Sequence, residues 1–166
     1  MHTLVLIRHA KSDWSVPVSD VQRPLTARGR RQAPAVGRWL CQHDVRLDLA
    51  VVSPATRASH TWDLIDTAIA EAGGPGAGEV VYDEDAYTFS PRALAGVIAG
   101  LPESARTVAL VGHNPALEDL VGEFSGDRMR VPTASLAVLS LPRWDSSSGR
   151  LLAAGRPADG PLPLPR

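Results

Sequence analysis

The stretch LVLIRHA at residues 4–10 decides the fold of this chain. Its first four residues are apolar, and such a run predicts a strand that is buried on both faces, as in a sheet covered by helices. Arg8 and His9 follow where this strand should end. Ligands of open α/β sheets bind at the carboxyl ends of the strands. A histidine beside a fixed positive charge is therefore well placed to meet an anion.

Two further motifs stand at the ends of predicted elements. His113 and Asn114 follow a second apolar strand, predicted at residues 107–111, and Arg57 lies at the start of the helix predicted after Ser53. Each motif alone is weak evidence, because a histidine after a strand is usually a hydrogen-bonded loop residue and the chain has 17 basic residues. Three such motifs, each at a strand end or a helix start, together indicate a functional site.

The apolar patterns along the chain alternate between strands and helices. Strands are predicted at residues 4–7, 47–52, 79–82 and 107–111, with a closing pair at 135–141 and 149–154. The helices between them are predicted to end near Cys41, Ala72, Ala99 and Phe124. This alternation predicts an α/β fold with a mostly parallel sheet and an antiparallel strand near the end. We expect one domain over residues 1–155 and a Pro-rich irregular tail over residues 156–166.

Helix starts are marked by capping residues and prolines. Thr26 is predicted to cap the first helix through its hydroxyl group. Three pairs each predict a cap followed by proline at the first helical position: Ser53-Pro54, Ser90-Pro91 and Asn114-Pro115. Pro34 lies inside the first helical pattern, where a proline removes one backbone hydrogen bond, and it predicts a kink or a late start.

Composition limits the class of protein. The chain has 166 residues, 44% of them hydrophobic and 21% charged, which is typical of a globular domain with a sizeable core. The net charge of -1 argues against a nucleic-acid partner. The single cysteine, Cys41, cannot form an internal disulfide and suggests a reducing compartment. Because no signal-peptide pattern or membrane-spanning apolar run is visible, we expect a cytoplasmic protein with no membrane partner.

The order of the three motifs resembles a known family. RHA at residues 8–10, SPATR at residues 53–57 and GHN at residues 112–114 are similar to the histidine phosphatase superfamily, and more closely to its short bacterial phosphohistidine phosphatase (SixA-like) branch. The likeness covers about residues 1–142 and includes RPLT at residues 23–26. It implies a single-domain three-layer sandwich of the phosphoglycerate mutase type, with helices on both faces of the sheet. Ala10 departs from the glycine of much of the superfamily, which matters only where φ is positive.

The four matching positions suit phosphoryl transfer. The guanidinium groups of Arg8 and Arg57 can each grip two phosphate oxygens. His9 is the candidate nucleophile, which would carry the phosphoryl group as covalent phosphohistidine until water hydrolyses it. His113 would donate to the phosphoryl oxygens as charge builds during transfer. The resemblance supports all four assignments, and we expect neither a cofactor nor a metal.

An acid for the leaving group is less clearly marked. Asp20 and Glu84 are both candidates for reaching the rim of the pocket, although a surface carboxylate is the default interpretation of each. The superfamily's mutases and broad phosphatases carry a glutamate in the region of Glu84. A phosphohistidine substrate would make this question less important, because imidazole has a pKa near 6.5 and leaves more readily than an alkoxide.

The sequence leaves three functions open. The first is a phosphatase acting on phosphohistidine in a protein, which fits a chain of 166 residues with no room for a helical lid and hence an open site. The second keeps the chemistry but acts on small phosphate esters or nucleotide polyphosphates. The third is a non-catalytic phosphate-binding module, for which a nucleophile would be unnecessary. The partner is thus a phosphorylated protein or a small phosphorylated molecule, and the oligomeric state stays open.

Overall fold

The computed structural model describes residues 1–162. Six strands form one sheet: β1 (His2–Arg8), β2 (Leu49–Val52), β3 (Glu79–Tyr82), β4 (Thr107–Gly112), β5 (Leu136–Leu141) and β6 (Arg150–Gly155). Their order across the sheet is β3-β2-β4-β1-β5-β6. The first four strands pair in parallel, whereas β5 runs antiparallel to β1 and β6 runs antiparallel to β5. The mostly parallel sheet with an antiparallel end is confirmed.

Helices cover both faces of the sheet. The α-helices are α1 (Ala27–Gln32), α2 (Pro34–Gln42), α3 (Thr56–Glu71), α4 (Pro91–Ala99) and α5 (Ala116–Ser125). Alternate residues of β1 point to opposite sides, so Leu4 and Leu6 pack in a cluster with α4 and α5. Val5 and Ile7 pack in the other cluster, with α2 and α3. This arrangement confirms the three-layer sandwich, and it explains why β1 is apolar without alternation.

Two of the three cap-and-proline predictions are wrong in detail. Ser90 accepts a hydrogen bond from the N–H of Ala93, and α4 begins at Pro91 as predicted. The third helix instead begins at Thr56 and the fifth at Ala116, each without a side-chain cap. The physical reason is that Ser53 and Asn114 direct their side chains to other partners, described below.

The other two helix-start predictions agree with the structure. Thr26 caps α1 by accepting from the N–H of Gly29. Pro34 divides the first helical pattern into α1 and α2 and occupies the start of α2, where no N–H is needed. Ala10 is accommodated, because the non-glycine residues with positive φ in residues 1–162 are Asp44 and Ala134.

The C-terminal segment is more ordered than an irregular tail. Pro157–Asp159 forms a 3₁₀ turn that contacts α2, and Leu162 packs against the cluster beneath α2 and α3. The rest of the predicted tail, residues 163–166, lies outside the described residues. Within residues 1–162, every helix is too short or too polar to cross a bilayer.

Candidate active site

The register of the two central strands brings the two predicted histidines together. Arg8 of β1 pairs with Gly112 of β4, so the next residues, His9 and His113, leave the sheet side by side. The N–H of His9 continues the ladder by donating to the carbonyl of Gly112 at 3.2 Å. The two imidazole rings lie 5.2 Å apart, centroid to centroid.

The end of β2 adds a serine and an arginine to the same edge. Ser53 N–H donates to the carbonyl of Val111 at 3.0 Å, which places Ser53 beside the end of β4. Its Oγ lies 2.7 Å from Nε2 of His113. Arg57 follows in the first turn of α3, with a side chain that is 1% exposed. Three neighbouring strands therefore deliver their terminal residues to one place.

The side chains of His9, Arg57 and His113 line one cavity of about 220 Å³. It contains all four predicted phosphate ligands and one of the two predicted carboxylates. The lining residues are Arg8, His9, Lys11, Ser12, Trp14, Asp20, Arg23, Arg57, Phe89, His113, Asn114 and Thr133. Four of these side chains are permanent cations, so the cavity suits an anion.

His9 has one nitrogen free for chemistry. Its Nδ1 lies 2.7 Å from the carbonyl oxygen of Ala10. A carbonyl can only accept, so Nδ1 carries the hydrogen and Nε2 keeps its lone pair. Burial of the ring, which is the largest cause, lowers the pKa of His9 to about 3. At neutral pH this side chain is therefore an uncharged imidazole with an available lone pair.

His113 has the opposite arrangement. The Oγ of Ser53 accepts from the N–H of Ala55 at 3.3 Å, so its own hydrogen can be donated to Nε2 of His113. Nδ1 of His113 then carries a hydrogen and can act as a donor. Burial lowers the pKa of His113 to about 3, and the nearby Arg57 acts in the same direction. This ring is a neutral donor.

Several buried donors in the site have no acceptor. Within residues 1–162, Nε of Arg8, Nε of Arg57 and Nδ1 of His113 are buried without a hydrogen-bond partner. A buried N–H that lacks an acceptor costs about 1–3 kcal/mol. A ligand with several acceptor oxygens, such as a phosphoryl group, can satisfy all three donors at once.

Asp20 lies in the cavity as a fully paired carboxylate. Its two oxygens accept from Tyr87, Arg23 and Arg57, and its backbone carbonyl accepts from Nη1 of Arg57 at 2.7 Å. The hydroxyl of Tyr87 is the largest cause that holds the pKa of Asp20 far below its usual range, and both arginines add to it. Asp20 is thus ionised at neutral pH and has no proton to donate.

Glu84 is not brought into the cavity. It lies in the 3₁₀ helix Glu84–Ala86, is exposed, and borders a separate surface depression with Asp83 and Asp85. The same segment does reach the site through Tyr87, which bonds Asp20. The part of the chain that the structure describes holds no group of three or more His, Cys, Asp or Glu side chains that could bind a metal ion.

Sequence reasoning missed several site residues. Arg23 lies in the RPLT motif, which was the only signal for it, and its Nε donates to Ser12 at 3.0 Å. Tyr87 carried no signal, because its contact with Asp20 spans 67 positions of the chain. The roles of Ser53 and Asn114 were hidden by their misassignment as helix caps.

Exposed aromatic side chains form the mouth of the cavity. The indole of Trp14 is 73% exposed, and the guanidinium carbon of Arg23 lies 3.6 Å from its centroid. Phe89 is 51% exposed and lies 5.7 Å from the ring of His113. Both residues line the cavity, so its entrance is apolar whereas its floor is cationic.

Comparisons with known proteins agree with this geometry. The family model of the histidine phosphatase superfamily (branch 1) matches residues 4–74, which include Arg8, His9 and Arg57. An uncharacterized protein of Mycobacterium tuberculosis (strain CDC 1551) is 32% identical over 144 residues, covering 80% of this chain and 85% of that protein.

Two solved structures are similar along almost the whole chain. A structure described as phosphohistidine phosphatase SixA from Nakamurella multipartitia is 29% identical, with a TM-score of 0.77 over 93% of this chain and 95% of its own. A second one, from Agrobacterium tumefaciens, is 26% identical, with a TM-score of 0.78 over 93% and 97%. The chain therefore belongs to the histidine phosphatase superfamily, within its SixA-like branch of hydrolases.

Proposed function

We propose that this protein removes the phosphoryl group from phosphohistidine in a protein, by way of a covalent phosphohistidine on His9. The observation that carries the proposal is the set of buried donors without acceptors, Arg8 Nε, Arg57 Nε and His113 Nδ1, that share a cavity with the free Nε2 of His9. The donors fit phosphoryl oxygens, and the imidazole supplies the nucleophile. The two structures described as SixA support phosphohistidine as the substrate.

In the first step, Nε2 of His9 attacks the phosphorus atom. A new P–N bond forms, the P–N bond of the substrate breaks, and the electron pair of that bond stays on the substrate imidazole, which leaves as a neutral ring because its other nitrogen carries a hydrogen. Arg8, Arg57 and His113 donate to the phosphoryl oxygens, where charge is greatest in transfer. Because His9 is neutral at physiological pH, no proton has to leave it before the attack.

In the second step, water takes the phosphoryl group from His9. Nδ1 of His9 keeps its hydrogen and donates it in a hydrogen bond to the carbonyl oxygen of Ala10. The ring that carries the phosphoryl group on Nε2 therefore has a positive charge. A positively charged ring is a good leaving group, since it departs as neutral imidazole. The same hydrogen bond that fixes the nucleophile therefore also prepares the phosphoenzyme for hydrolysis.

The lack of a proton donor favours phosphohistidine over an alkyl phosphate. Asp20 is the carboxylate among the described lining residues, and its ion pairs keep it deprotonated. Glu84 is exposed and borders another depression. A departing alkoxide gains about 10²–10⁴-fold from a positioned acid, whereas imidazole needs far less help. We therefore assign neither Asp20 nor Glu84 the role of a general acid.

The open, aromatic mouth supports a protein substrate. Trp14 and Phe89 are large and exposed, and such residues are common in protein interfaces. A phosphohistidine that protrudes from a partner protein could place its phosphoryl group on the cationic floor while the surrounding surface contacts the two aromatic rings. A small ester would fill the floor but leave the mouth unused.

The proposal is tested by comparing substrates under the same conditions. The wild-type protein should hydrolyse a phosphohistidine-containing protein with a kcat/KM at least about 10²-fold higher than that for an alkyl phosphate of the same charge. Faster turnover of the small ester would favour the second function. Binding of phosphate without turnover of either substrate would favour the non-catalytic module.

A further inference from the structure

We propose that Asn114 is a catalytic residue, whose side-chain oxygen holds the water that hydrolyses phosphohistidine at His9. The inference rests on the proposed function and adds a residue to its second step. Asn114 follows His113 directly and lines the same cavity as His9.

The orientation of the Asn114 amide is fixed by its neighbours. Nδ2 donates to Oε2 of Glu118 at 3.0 Å and to the carbonyl oxygen of Val131 at 2.9 Å. Both partners can only accept at these atoms, so the nitrogen has to face them and the oxygen has to face away. Oε2 of Glu118 also accepts from the N–H of Val131 at 2.9 Å, which closes a small network. A flipped amide would place Oδ1, an acceptor, against both of these acceptor oxygens.

The oxygen of this fixed amide has no donor. Within the described residues, Oδ1 of Asn114 is buried and makes no hydrogen bond. It differs in kind from the other unpartnered atoms of the cavity, since those of Arg8, Arg57 and His113 are N–H donors. A phosphoryl group brings oxygens that satisfy the donors but no hydrogen for Oδ1. The partner of Oδ1 is therefore a group that can donate, and the water of the second step is the donor that hydrolysis of the phosphoenzyme brings to the cavity.

This water is the nucleophile of the second step. Its oxygen forms a bond to phosphorus, the bond between phosphorus and Nε2 of His9 breaks, and the electron pair of that bond returns to Nε2. One hydrogen of the water moves to a phosphoryl oxygen, so dihydrogen phosphate leaves and His9 is neutral again. An amide oxygen is too weak a base to take a proton. Asn114 therefore orients the water by accepting its other hydrogen, and no carboxylate base is needed.

The network also predicts which substitutions separate this role from a structural one. Val131 accepts from Nη1 of Arg8 at 3.0 Å, so loss of the Asn114 amide could disturb Arg8 as well as the water. Asp at position 114 keeps an acceptor oxygen but loses the N–H donors, so its second oxygen would face two acceptors, Glu118 and the carbonyl of Val131. Adding Glu118→Gln removes the repulsion at position 118, because the amide of glutamine can donate to the aspartate. The pair N114D/E118Q thus restores the acceptor without restoring the tie to Val131.

The experiment follows the phosphoenzyme directly. The wild-type protein, Asn114→Ala, E118Q and N114D/E118Q are mixed with a ³²P-phosphohistidine protein, quenched at intervals and assayed for label on His9. In Asn114→Ala we expect label to form at a rate within about threefold of wild type and to decay about tenfold more slowly, the rate equivalent of one hydrogen bond. E118Q is the reference for the pair, because it carries the same change at position 118, and N114D/E118Q should recover most of the loss relative to Asn114→Ala.

Each other outcome has a definite meaning. Wild-type decay in Asn114→Ala overturns the inference, as does label formation that is slowed as much as label decay, since a disturbed Arg8 would then account for both. If Asn114→Ala does not fold, Asn114→Leu, which keeps the volume and also lacks an acceptor, replaces it with the same expectation. Absence of label on His9 in the wild-type protein would instead contradict the proposed function, which separates the two failures.

Discussion

Both terminal nitrogens of Arg57 donate to Asp20, Nη2 to a carboxylate oxygen at 3.0 Å and Nη1 to the backbone carbonyl at 2.7 Å. The remaining donor on the edge of the guanidinium, Nε, is buried without a partner. Asp20 therefore fixes the plane of Arg57 and leaves one edge of it for a ligand. This arrangement makes Asp20 a positioning residue in our account.

Substitution of the two carboxylates tests that account. Asp20→Asn should lower kcat/KM for a phosphohistidine protein by less than about tenfold, because the carbonyl of residue 20 and one amide oxygen can still hold Arg57. Glu84→Gln, the matched control on an exposed carboxylate, should change nothing measurable. A general acid would be worth about 10²–10⁴-fold. A loss of that size for an alkyl phosphate, with a much smaller loss for phosphohistidine, would return the substituted residue to the role of proton donor.

We expect activity to depend on the planar shape of the Arg57 guanidinium and not on its charge alone. Arg57→Lys keeps the charge but has a single nitrogen, which cannot occupy the positions of the two Nη atoms that bond Asp20 and the position of Nε as well. We therefore expect kcat/KM to fall by about 10²-fold, the loss typical of one transition-state donor. Arg38→Lys, at an exposed position of α2, is the control and should behave as wild type. Equal activity of the two variants would show that charge alone suffices at position 57.

The buried histidines should make stability depend on pH. His9 and His113 have pKa values near 3 in the folded protein, against the usual 6.5. Between these values the unfolded chain binds protons that the folded protein does not, so the free energy of unfolding should decrease as pH falls below 6.5. Each histidine contributes about 1.4 kcal/mol per pH unit in that window. Urea unfolding at pH 6.0, 5.5 and 5.0 should therefore give a shallower slope for His9→Ala, and identical slopes would contradict the buried neutral state.

Substitutions at the mouth of the cavity should weaken binding of a protein substrate and leave turnover of a small substrate almost unchanged. Trp14→Ala removes an exposed indole and should raise KM for a phosphohistidine protein by about tenfold, the lower range for an aromatic interface residue. The same variant should leave kcat/KM for phosphoramidate, which has no surrounding surface, within about threefold. Tyr82→Ala is the control, since Tyr82 is 52% exposed on β3 and does not line the cavity. An equal effect on both substrates would place Trp14 in the chemistry instead.

The central residues of the site could be predicted because the sheet itself positions them. Arg8, His9 and His113 follow apolar strands, and parallel strands deliver their carboxyl ends to one edge whatever the loops do. Asp20 was only a candidate for reaching the pocket rim, with a surface carboxylate as the default interpretation, because its pairing with Tyr87 depends on how two loops fold over the edge of the sheet. A contact across 67 positions leaves no periodic trace in a single sequence.

The misassigned caps have a related cause. Ser and Asn before a proline are good caps, and local sequence cannot tell whether another partner competes for the side chain. For Ser53 the competitor is His113, 60 positions away, and for Asn114 it is Glu118 together with Val131. At both positions the side chain bonds a residue of the site and does not cap the helix that follows.

The central claim is that His9 carries the phosphoryl group, and trapping of the phosphoenzyme tests it most directly. The wild-type protein is mixed with a ³²P-phosphohistidine protein and quenched in base within milliseconds, and the labelled residue is identified by peptide mapping. We expect an acid-labile label on His9, and neither label nor turnover in a His9→Ala variant that unfolds as cooperatively as wild type. Turnover without label on His9, or near-normal activity of His9→Ala, would contradict the account.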